Sequence, residues 1–136
     1  MKIFIASSKY FYKYIMDIKE KLEILGHTVS LPNSFNEPFA ENKMKKFGNE
    51  KHSEWKANMM RRDKQNIQPQ DAILVLNFEK NKIPNYIGGA TFMEIIKAWE
   101  LGKKIFFYSP LPNCCFTDEL RGISPVILNG DLNLIK

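Results

Sequence analysis

One acidic residue, Glu94, follows a pair of glycines in an arrangement that suits catalysis or ligand binding. Gly88 and Gly89 open a helix that is predicted to run to about Leu101. Glycines let a ligand approach the backbone closely, and the first turn of a helix has N–H groups without intrahelical partners. Polar residues recur every third position on this otherwise apolar helix: Thr91, Glu94, Lys97 and Glu100. This stripe must face a site or water, where Glu94 would simply pair with Lys97.

A second acidic residue, Asp63, lies eight residues before Asp71, on a helix predicted from Lys51 to about Gln68. Asp63 is a second candidate for a site residue. The alternative is that Asp63 is a surface acid beside its neighbouring arginines, Arg61 and Arg62. Asp71 itself is expected at the start of a strand, away from any ligand.

The segment that follows the first predicted strand is polar and could hold a phosphate. Ser7 and Ser8 offer hydroxyl groups, Lys9 offers a positive charge, and a helix begins close by. The alternative is that a serine only caps that helix. Two tyrosines, Tyr10 and Tyr86, could stack on a base or could equally be surface residues.

Short apolar runs alternate with helical patterns along the chain, which predicts an α/β fold with a parallel sheet. A helix is predicted between Phe11 and Leu25, whereas Asn33 to Glu50 is irregular and suits a lid, a binding loop or a poorly ordered segment. The five predicted strands are Lys2–Ala6, His27–Leu31, Asp71–Phe78, Lys103–Ser109 and Pro125–Leu128. They fit a three-layer sandwich with a five-stranded parallel sheet, flavodoxin-like or Rossmann-like, and a single domain over residues 1–136.

In folds of this kind, ligands bind beyond the carboxyl ends of the strands. We therefore expect the site among the loops after Ala6, Phe78 and Tyr108. No Walker loop, complete GxGxxG motif or metal-ligand spacing is present, so neither a metal nor a redox cofactor is indicated.

The composition narrows the partners and the setting. The formal net charge of +5 suits anionic ligands, but the lysines are scattered and form no dedicated nucleic-acid motif. The two cysteines, Cys114 and Cys115, are adjacent and rarely pair in such an arrangement, so a reducing, cytoplasmic setting is expected. No window approaches the roughly 18 apolar residues that a membrane span requires.

An ordered series of segments resembles the nucleoside 2-deoxyribosyltransferase superfamily. The series begins with MKIFIAS, an amphipathic helix and GH. It continues with DAILVLN, NYIGG, a glutamate six residues after the first glycine, and KKIFF. The NYIGG and VILNGDL segments are most similar to short members of this superfamily, which is related to the 2′-deoxynucleoside 5′-phosphate N-hydrolases. The resemblance covers nearly the whole chain except Asn33 to Glu50.

The resemblance implies that Glu94 is the nucleophile at the anomeric carbon of a nucleoside and that Asp63 is the assisting acid. It also implies a homodimer or a higher homo-oligomer. The expected substrate-binding residues are Ser7, Ser8, Tyr10, Asn85, Tyr86, Gly88 and Gly89.

Three hypotheses follow for the function. The first is an enzyme that cleaves or transfers the N-glycosidic bond of a nucleoside or a nucleoside 5′-monophosphate. The second is a non-catalytic nucleotide-binding or sensor module on the same fold, which the bulky Ile95 and Ile96 after Glu94 favour. The third is an interaction protein without a small-molecule site, and it requires that Glu94 be fully exposed with no pocket beside Gly88.

Overall fold

The five strands form one parallel sheet. The computed structural model describes all residues from Met1 to Lys136. The strands are β1 Lys2–Ser7, β2 Thr28–Ser30, β3 Ala72–Leu76, β4 Lys104–Phe107 and β5 Val126–Ile127. They lie in the order β2-β1-β3-β4-β5, and every neighbouring pair is parallel. This is the flavodoxin-like order, which confirms the predicted fold class.

Helices cover both faces of the sheet. Two short 3₁₀ helices, Lys9–Tyr14 and Leu132–Leu134, accompany the five α-helices, which are α1 Ile15–Ile24, α2 Ala40–Lys45, α3 Asn49–Ile67, α4 Gly89–Glu100 and α5 Thr117–Ile123. On one face, α1 packs Ile15, Ile18 and Leu22 against Ile3 and Ile5 of β1. On the other face, α3, α4 and α5 pack against Phe4, Ile73 and Phe107, members of a second buried cluster. The result is the expected three-layer sandwich.

Burial on both faces explains the sequence of the central strands. All five residues of β3 are fully buried, and so are Ile3 to Ala6 of β1. A strand covered on both sides has a continuous apolar run rather than an alternating pattern. Polar side chains can therefore emerge from these strands only at their ends.

Two segments differ from the sequence-based expectation. The first helix starts as a 3₁₀ helix whose N-cap is Ser8, and regular α-helix begins only at Ile15. The segment from Asn33 to Glu50, expected to be irregular, contains α2, and α3 begins at Asn49 instead of Lys51. Because α2 buries none of its residues, it has no apolar periodicity from which it could be recognised.

No helix of the chain combines the length and the apolar character that crossing a membrane would require.

Asn77 joins the carboxyl ends of β3 and β4. Its side chain is fully buried. Its Nδ2 donates hydrogen bonds to the carbonyl oxygens of Ser109 (3.0 Å) and Pro110 (2.8 Å), and its Oδ1 accepts one from the Ser109 N–H at 2.9 Å. The asparagine that closes the DAILVLN segment thus holds the loop after β4 against the sheet.

Replacing Asn77 by alanine should lower the free energy of unfolding by about 3 kcal/mol, because three backbone groups lose their buried partner. Urea unfolding followed by circular dichroism measures the change. Asn113→Ala, at an exposed position on the same loop, is the matched control and should cost less than about 0.5 kcal/mol. Equal losses for the two variants would contradict the assigned role of Asn77.

Candidate active site

A cavity of about 710 Å³ lies beyond the carboxyl ends of β1, β2 and β3. Its wall comes from the loops after these strands, from the first two turns of α4 and from one face of α3. The prediction that the loop after Tyr108 contributes was wrong, since the loop after β2 takes its place. The physical reason is the strand order: the chain reverses direction across the sheet between β1 and β3, and the crevice opens at that point.

Glu94 reaches this cavity from the second turn of α4. Only 8% of its surface is exposed, and its carboxylate has no hydrogen bond or ion pair within the protein. Burial, and to a lesser extent the charge of Asp63, raise the pKa of Glu94 well above its usual range, against the opposing charges of Lys97 and Lys56. Its oxygens remain accessible from the cavity, and a largely buried carboxyl group that is open to a cavity is a typical functional arrangement.

Asp63 lines the same cavity from α3. It is half-buried, and its Oδ1 accepts a hydrogen bond from Asn33 Nδ2 at 3.3 Å. Burial raises the pKa of Asp63, while Lys97 and the hydrogen bond from Asn33 lower it in part. Asp63 therefore belongs to the cavity wall, and its neighbours Arg61 and Arg62 point to solvent.

Tyr12 is the third ionisable group beside this pair. It lies in the 3₁₀ helix after β1, lines the cavity, and packs its ring against Phe35 with 5.5 Å between centroids. Burial, followed by the charges of Glu94 and Asp63, raises the pKa of Tyr12 far above its usual range, so its hydroxyl stays protonated. A protonated phenol in the same cavity wall as two carboxyl groups offers a hydrogen-bond donor to a ligand.

The serines after β1 have unequal environments. Ser8 caps the 3₁₀ helix, since its Oγ accepts from the Tyr10 N–H at 3.4 Å, which is the capping alternative. Ser7 is buried at the end of β1, and its Oγ donates to the Ser8 carbonyl at 3.2 Å. Both serines and Lys9 line the cavity. The oxygen of Ser7 can still accept a hydrogen bond from a ligand.

Tyr10 and Tyr86 line the cavity, and Lys80, which does not line it, contacts both rings. Lys80 Nζ lies 3.9 Å from the ring centroid of Tyr10 and 4.5 Å from that of Tyr86, both within cation–π range. The Tyr86 hydroxyl lies 3.3 Å from where a Cβ on Gly88 would stand, so a larger residue at position 88 would press on the ring. Asn85, by contrast, does not line the cavity; it occupies a turn with φ of 56°.

The first turn of α4 is open to the cavity. Gly88 is its N-cap, has no side chain to satisfy the free N–H groups, and lines the cavity with Gly89 and Thr91. Unpaired N–H groups at a helix start are suited to an anionic ligand group.

Several lining residues were not among the site residues expected from the sequence, although Asn33 and Glu41 lie in the segment from Asn33 to Glu50, for which a lid or a binding loop was one of the alternatives. Asn33 belongs to the loop after β2, and Glu41 belongs to α2, where its carboxylate meets Lys56 at 2.6 Å and His52 at 3.2 Å. Although burial raises the pKa of Glu41, hydrogen bonds from Lys56 and His52 hold it below its usual range. One face of α3 supplies four more lining residues, Trp55, Lys56, Met59 and Met60. These residues and Asp63 recur at helical spacing, and that spacing is the sequence signal that could have identified them.

No three or more histidine, cysteine, aspartate or glutamate side chains are grouped as a metal ion would require. The ionisable groups at the cavity include the two carboxyl groups of Glu94 and Asp63, the phenol of Tyr12 and nearby lysines. Such a set can stabilise a developing positive charge on one side of a ligand and protonate a leaving group on another.

The chain shares its fold with a structurally characterised N-glycosidase. It matches the CMP N-glycosidase BcmB of Clostridium botulinum over 95% of this chain and 90% of that protein, with a TM-score of 0.55 and 20% identity. It also matches FerB, the NAD(P)H:(acceptor) oxidoreductase flavoenzyme of Paracoccus denitrificans, over 93% and 74% of the two chains, with a TM-score of 0.49 and 15% identity. No protein-family model and no curated protein sequence matches. At 20% identity, the likeness to BcmB shows a shared fold.

The hypothesis of an interaction protein without a small-molecule site is wrong, because it requires that Glu94 be fully exposed with no pocket beside Gly88. Glu94 is buried and lines a cavity with Gly88 and Ser7.

Glu94→Gln should leave the protein at least as stable as the wild type, with an advantage that grows with pH. Because the folded state raises the pKa of Glu94, the native protein binds more protons than the unfolded chain above the ordinary pKa of 4.5. Stability contributed by this group is therefore lost as pH rises, and glutamine removes that loss.

Melting temperatures of the two proteins between about pH 5 and about pH 8 measure the effect. Glu100→Gln, at an exposed position of the same helix, is the control and should show no such trend. A wild-type advantage that increases with pH would contradict the burial of Glu94 as an unpaired acid.

Proposed function

We propose that the protein cleaves or transfers the N-glycosidic bond of a nucleoside or a nucleoside 5′-monophosphate, with Glu94 as nucleophile and Asp63 as the assisting acid. The observation that carries this proposal is that two carboxyl groups from different helices line one cavity. The charge of Asp63 raises the pKa of Glu94, and the charges of both acids raise the pKa of Tyr12. The shared fold with a CMP N-glycosidase adds support.

In the first step, a carboxylate oxygen of Glu94 attacks C1′ of the sugar. The electron pair of the C1′–N bond moves to the base nitrogen, and Asp63 supplies the proton that lets the base leave as a neutral molecule. Positive charge develops on the sugar ring during this step, and the carboxylate beneath it stabilises that charge and then traps it as an ester.

In the second step, Asp63, now ionised, removes a proton from water or from an acceptor base. That nucleophile attacks C1′ and releases the carboxylate of Glu94. Hydrolysis and base exchange therefore share the first step and differ only in what enters the cavity for the second.

The scheme requires one proton on the two carboxyl groups, carried by Asp63 and absent from Glu94. Because the pKa of Glu94 is raised more strongly than that of Asp63, the protein alone favours this proton on Glu94, and the scheme therefore requires that it move to Asp63 when substrate binds. Because the two groups are buried together, ionisation of the first opposes ionisation of the second, and the singly protonated pair extends over a wider pH range than it would for isolated acids. The pair titrates as a unit, so activity should have a bell-shaped dependence on pH.

The remaining contacts are assigned to the substrate as follows. Tyr10 and Tyr86 are suited to stack on a base, and Ser7, Ser8 and the first turn of α4 at Gly88 are suited to the sugar or the phosphate.

A second candidate is a module that binds a nucleotide without turning it over. The observation in its favour is the strongly raised pKa of Glu94, since a protonated carboxyl group is a poor nucleophile but a good hydrogen-bond donor to a ligand. The two candidates differ in whether the ligand is chemically changed.

Purified protein incubated with ribo- and deoxynucleosides and their 5′-monophosphates, with and without a free acceptor base, should release or exchange a base detectable by chromatography. Glu94→Ala should reduce that rate on the order of a thousandfold or more, because the group that stabilises the sugar cation is gone. Glu100→Ala, on the exposed side of the same helix, should keep the wild-type rate.

Two results would overturn the enzyme proposal. One is turnover that survives in Glu94→Ala. The other is the absence of turnover across the panel together with a ligand that raises the melting temperature, which would establish the binding module.

The acid role of Asp63 predicts a dependence on the leaving group. Asp63→Asn should slow release of a natural base by about a hundredfold or more, while cleavage of a 4-nitrophenyl riboside should fall less than about tenfold, since its leaving group departs without a proton. Glu54→Gln, an exposed acid of the same helix, is the control and should slow neither substrate. Equal losses by Asp63→Asn on both substrates would remove Asp63 from the acid role.

A further inference from the structure

Lys97 connects the two helices that carry the carboxyl groups. It lies three residues after Glu94 on α4, and its Nζ donates a hydrogen bond to the carbonyl oxygen of Met60 on α3 at 3.0 Å. Met60 is three residues before Asp63, so the bond ends on the same side of α3 as that carboxyl group. A single ammonium group therefore lies within a helical turn of both acids.

The charge of Lys97 is not neutralised by a carboxylate. No acidic oxygen lies within ion-pair distance of its Nζ, and its hydrogen-bond acceptor is an uncharged carbonyl. The other cation near the pair, Lys56, is instead held by Glu41 at 2.6 Å. Tyr12, the remaining ionisable group around the pair, is protonated and uncharged. Lys97 is thus the positive charge that the carboxyl pair experiences most directly.

We propose that Lys97 is a positioning residue: it ties α4 to α3 beside Glu94 and Asp63, and its charge allows one of the two acids to be ionised while the other stays protonated. The assignment deepens the proposed function and rests on it for its catalytic meaning. The charge of Lys97 lowers the pKa of Glu94 and that of Asp63, and it is the leading charge to do so for each.

Without this charge the pair would be a poor catalyst at neutral pH. Burial and mutual repulsion would keep both acids protonated, and a protonated Glu94 cannot attack C1′. The charge of Lys97 opposes protonation of both acids and so favours the singly ionised pair. The hydrogen bond to Met60 also limits how far α4 can slide along α3, which keeps the two acids at a constant separation.

Three substitutions separate the tether from the charge. Lys97→Met removes both, Lys97→Gln keeps a hydrogen-bond donor but no charge, and Lys97→Arg keeps both. Lys103→Met is the matched control, because Lys103 Nζ also donates to a backbone carbonyl at the end of α3, that of Gln68, at 2.9 Å. That tether differs in the effect of its charge, because Lys97 acts on the pKa of both Glu94 and Asp63 whereas Lys103 acts on neither.

The first measurement is a carboxyl-carbon NMR titration of protein labelled at glutamate and aspartate, with Glu94→Gln and Asp63→Asn to assign the signals. Lys97→Met and Lys97→Gln should shift the titration of the pair to higher pH by about one unit, while Lys97→Arg and Lys103→Met should leave it in place. An unchanged titration in Lys97→Met and Lys97→Gln would overturn the proposal.

The second measurement is the pH dependence of turnover on the substrate found in the panel. In Lys97→Met and Lys97→Gln, kcat at neutral pH should fall about tenfold with KM changed less than about twofold, and the acidic limb should move to higher pH; Lys97→Arg should restore both. A loss of stability equal to that of Lys103→Met with an unmoved acidic limb would reduce Lys97 to a structural tether.

The two measurements also separate failure of this proposal from failure of the proposed function. If the wild type turns over no substrate, the enzyme proposal fails, but the NMR titration still decides whether Lys97 controls the ionisation of the pair.

Discussion

Burial of β1 and β3 on both faces is the constraint on which the rest of the structure depends. With helices packed on either side, neither strand can place a polar group along its length, so polar chemistry is confined to the strand ends. Ser7 stands at the end of β1 and Asn77 just after β3. The strand order then opens a crevice between these ends, because the connections from β1 and β3 leave on opposite sides of the sheet.

Asn77 and the loop that follows it have different roles. Asn77 uses all its side-chain polar atoms to hold the loop after β4, which keeps that loop away from the cavity. The loop after β3 is left free to turn back through Tyr86 and Gly88 into α4. Glu94 then projects from the second turn of α4 into an enclosure that offers its carboxylate no fixed partner.

Electrostatics links this acid to the opposite wall. Asp63, Lys56 and Met60 all lie on one face of α3, and α3 packs against α4 through the hydrogen bond from Lys97. Two acids that share a buried cavity resist simultaneous ionisation, and a nearby ammonium limits how strongly they resist. The ionisation state of the site therefore depends on the packing of two helices as much as on the acids themselves.

α2 and the loop before it complete the enclosure. Asn33 donates to Asp63, and Asn42 accepts from Lys9 at 3.1 Å, which joins α2 to the loop after β1. Glu41 attaches α2 to α3 through Lys56 and His52. Since α2 buries none of its side chains, these polar contacts are its main attachment to the cavity wall.

The sequence by itself determined the fold class and the position of Glu94 relative to the glycines. Apolar runs and helical spacing are local properties, and the burial of β3 can be predicted from its continuous apolar run, AILVL. The polar stripe on α4 left open whether that side of the helix faces a site or water, and the structure places Thr91 and Glu94 at the cavity and Glu100 in solvent. Only the tertiary structure decided that Asp63 and Glu94 share a cavity, that Tyr12 and Lys97 adjoin them, and that Asn85 does not. Those facts depend on how distant helices pack, and the spacing of residues along one helix carries no information about its neighbour.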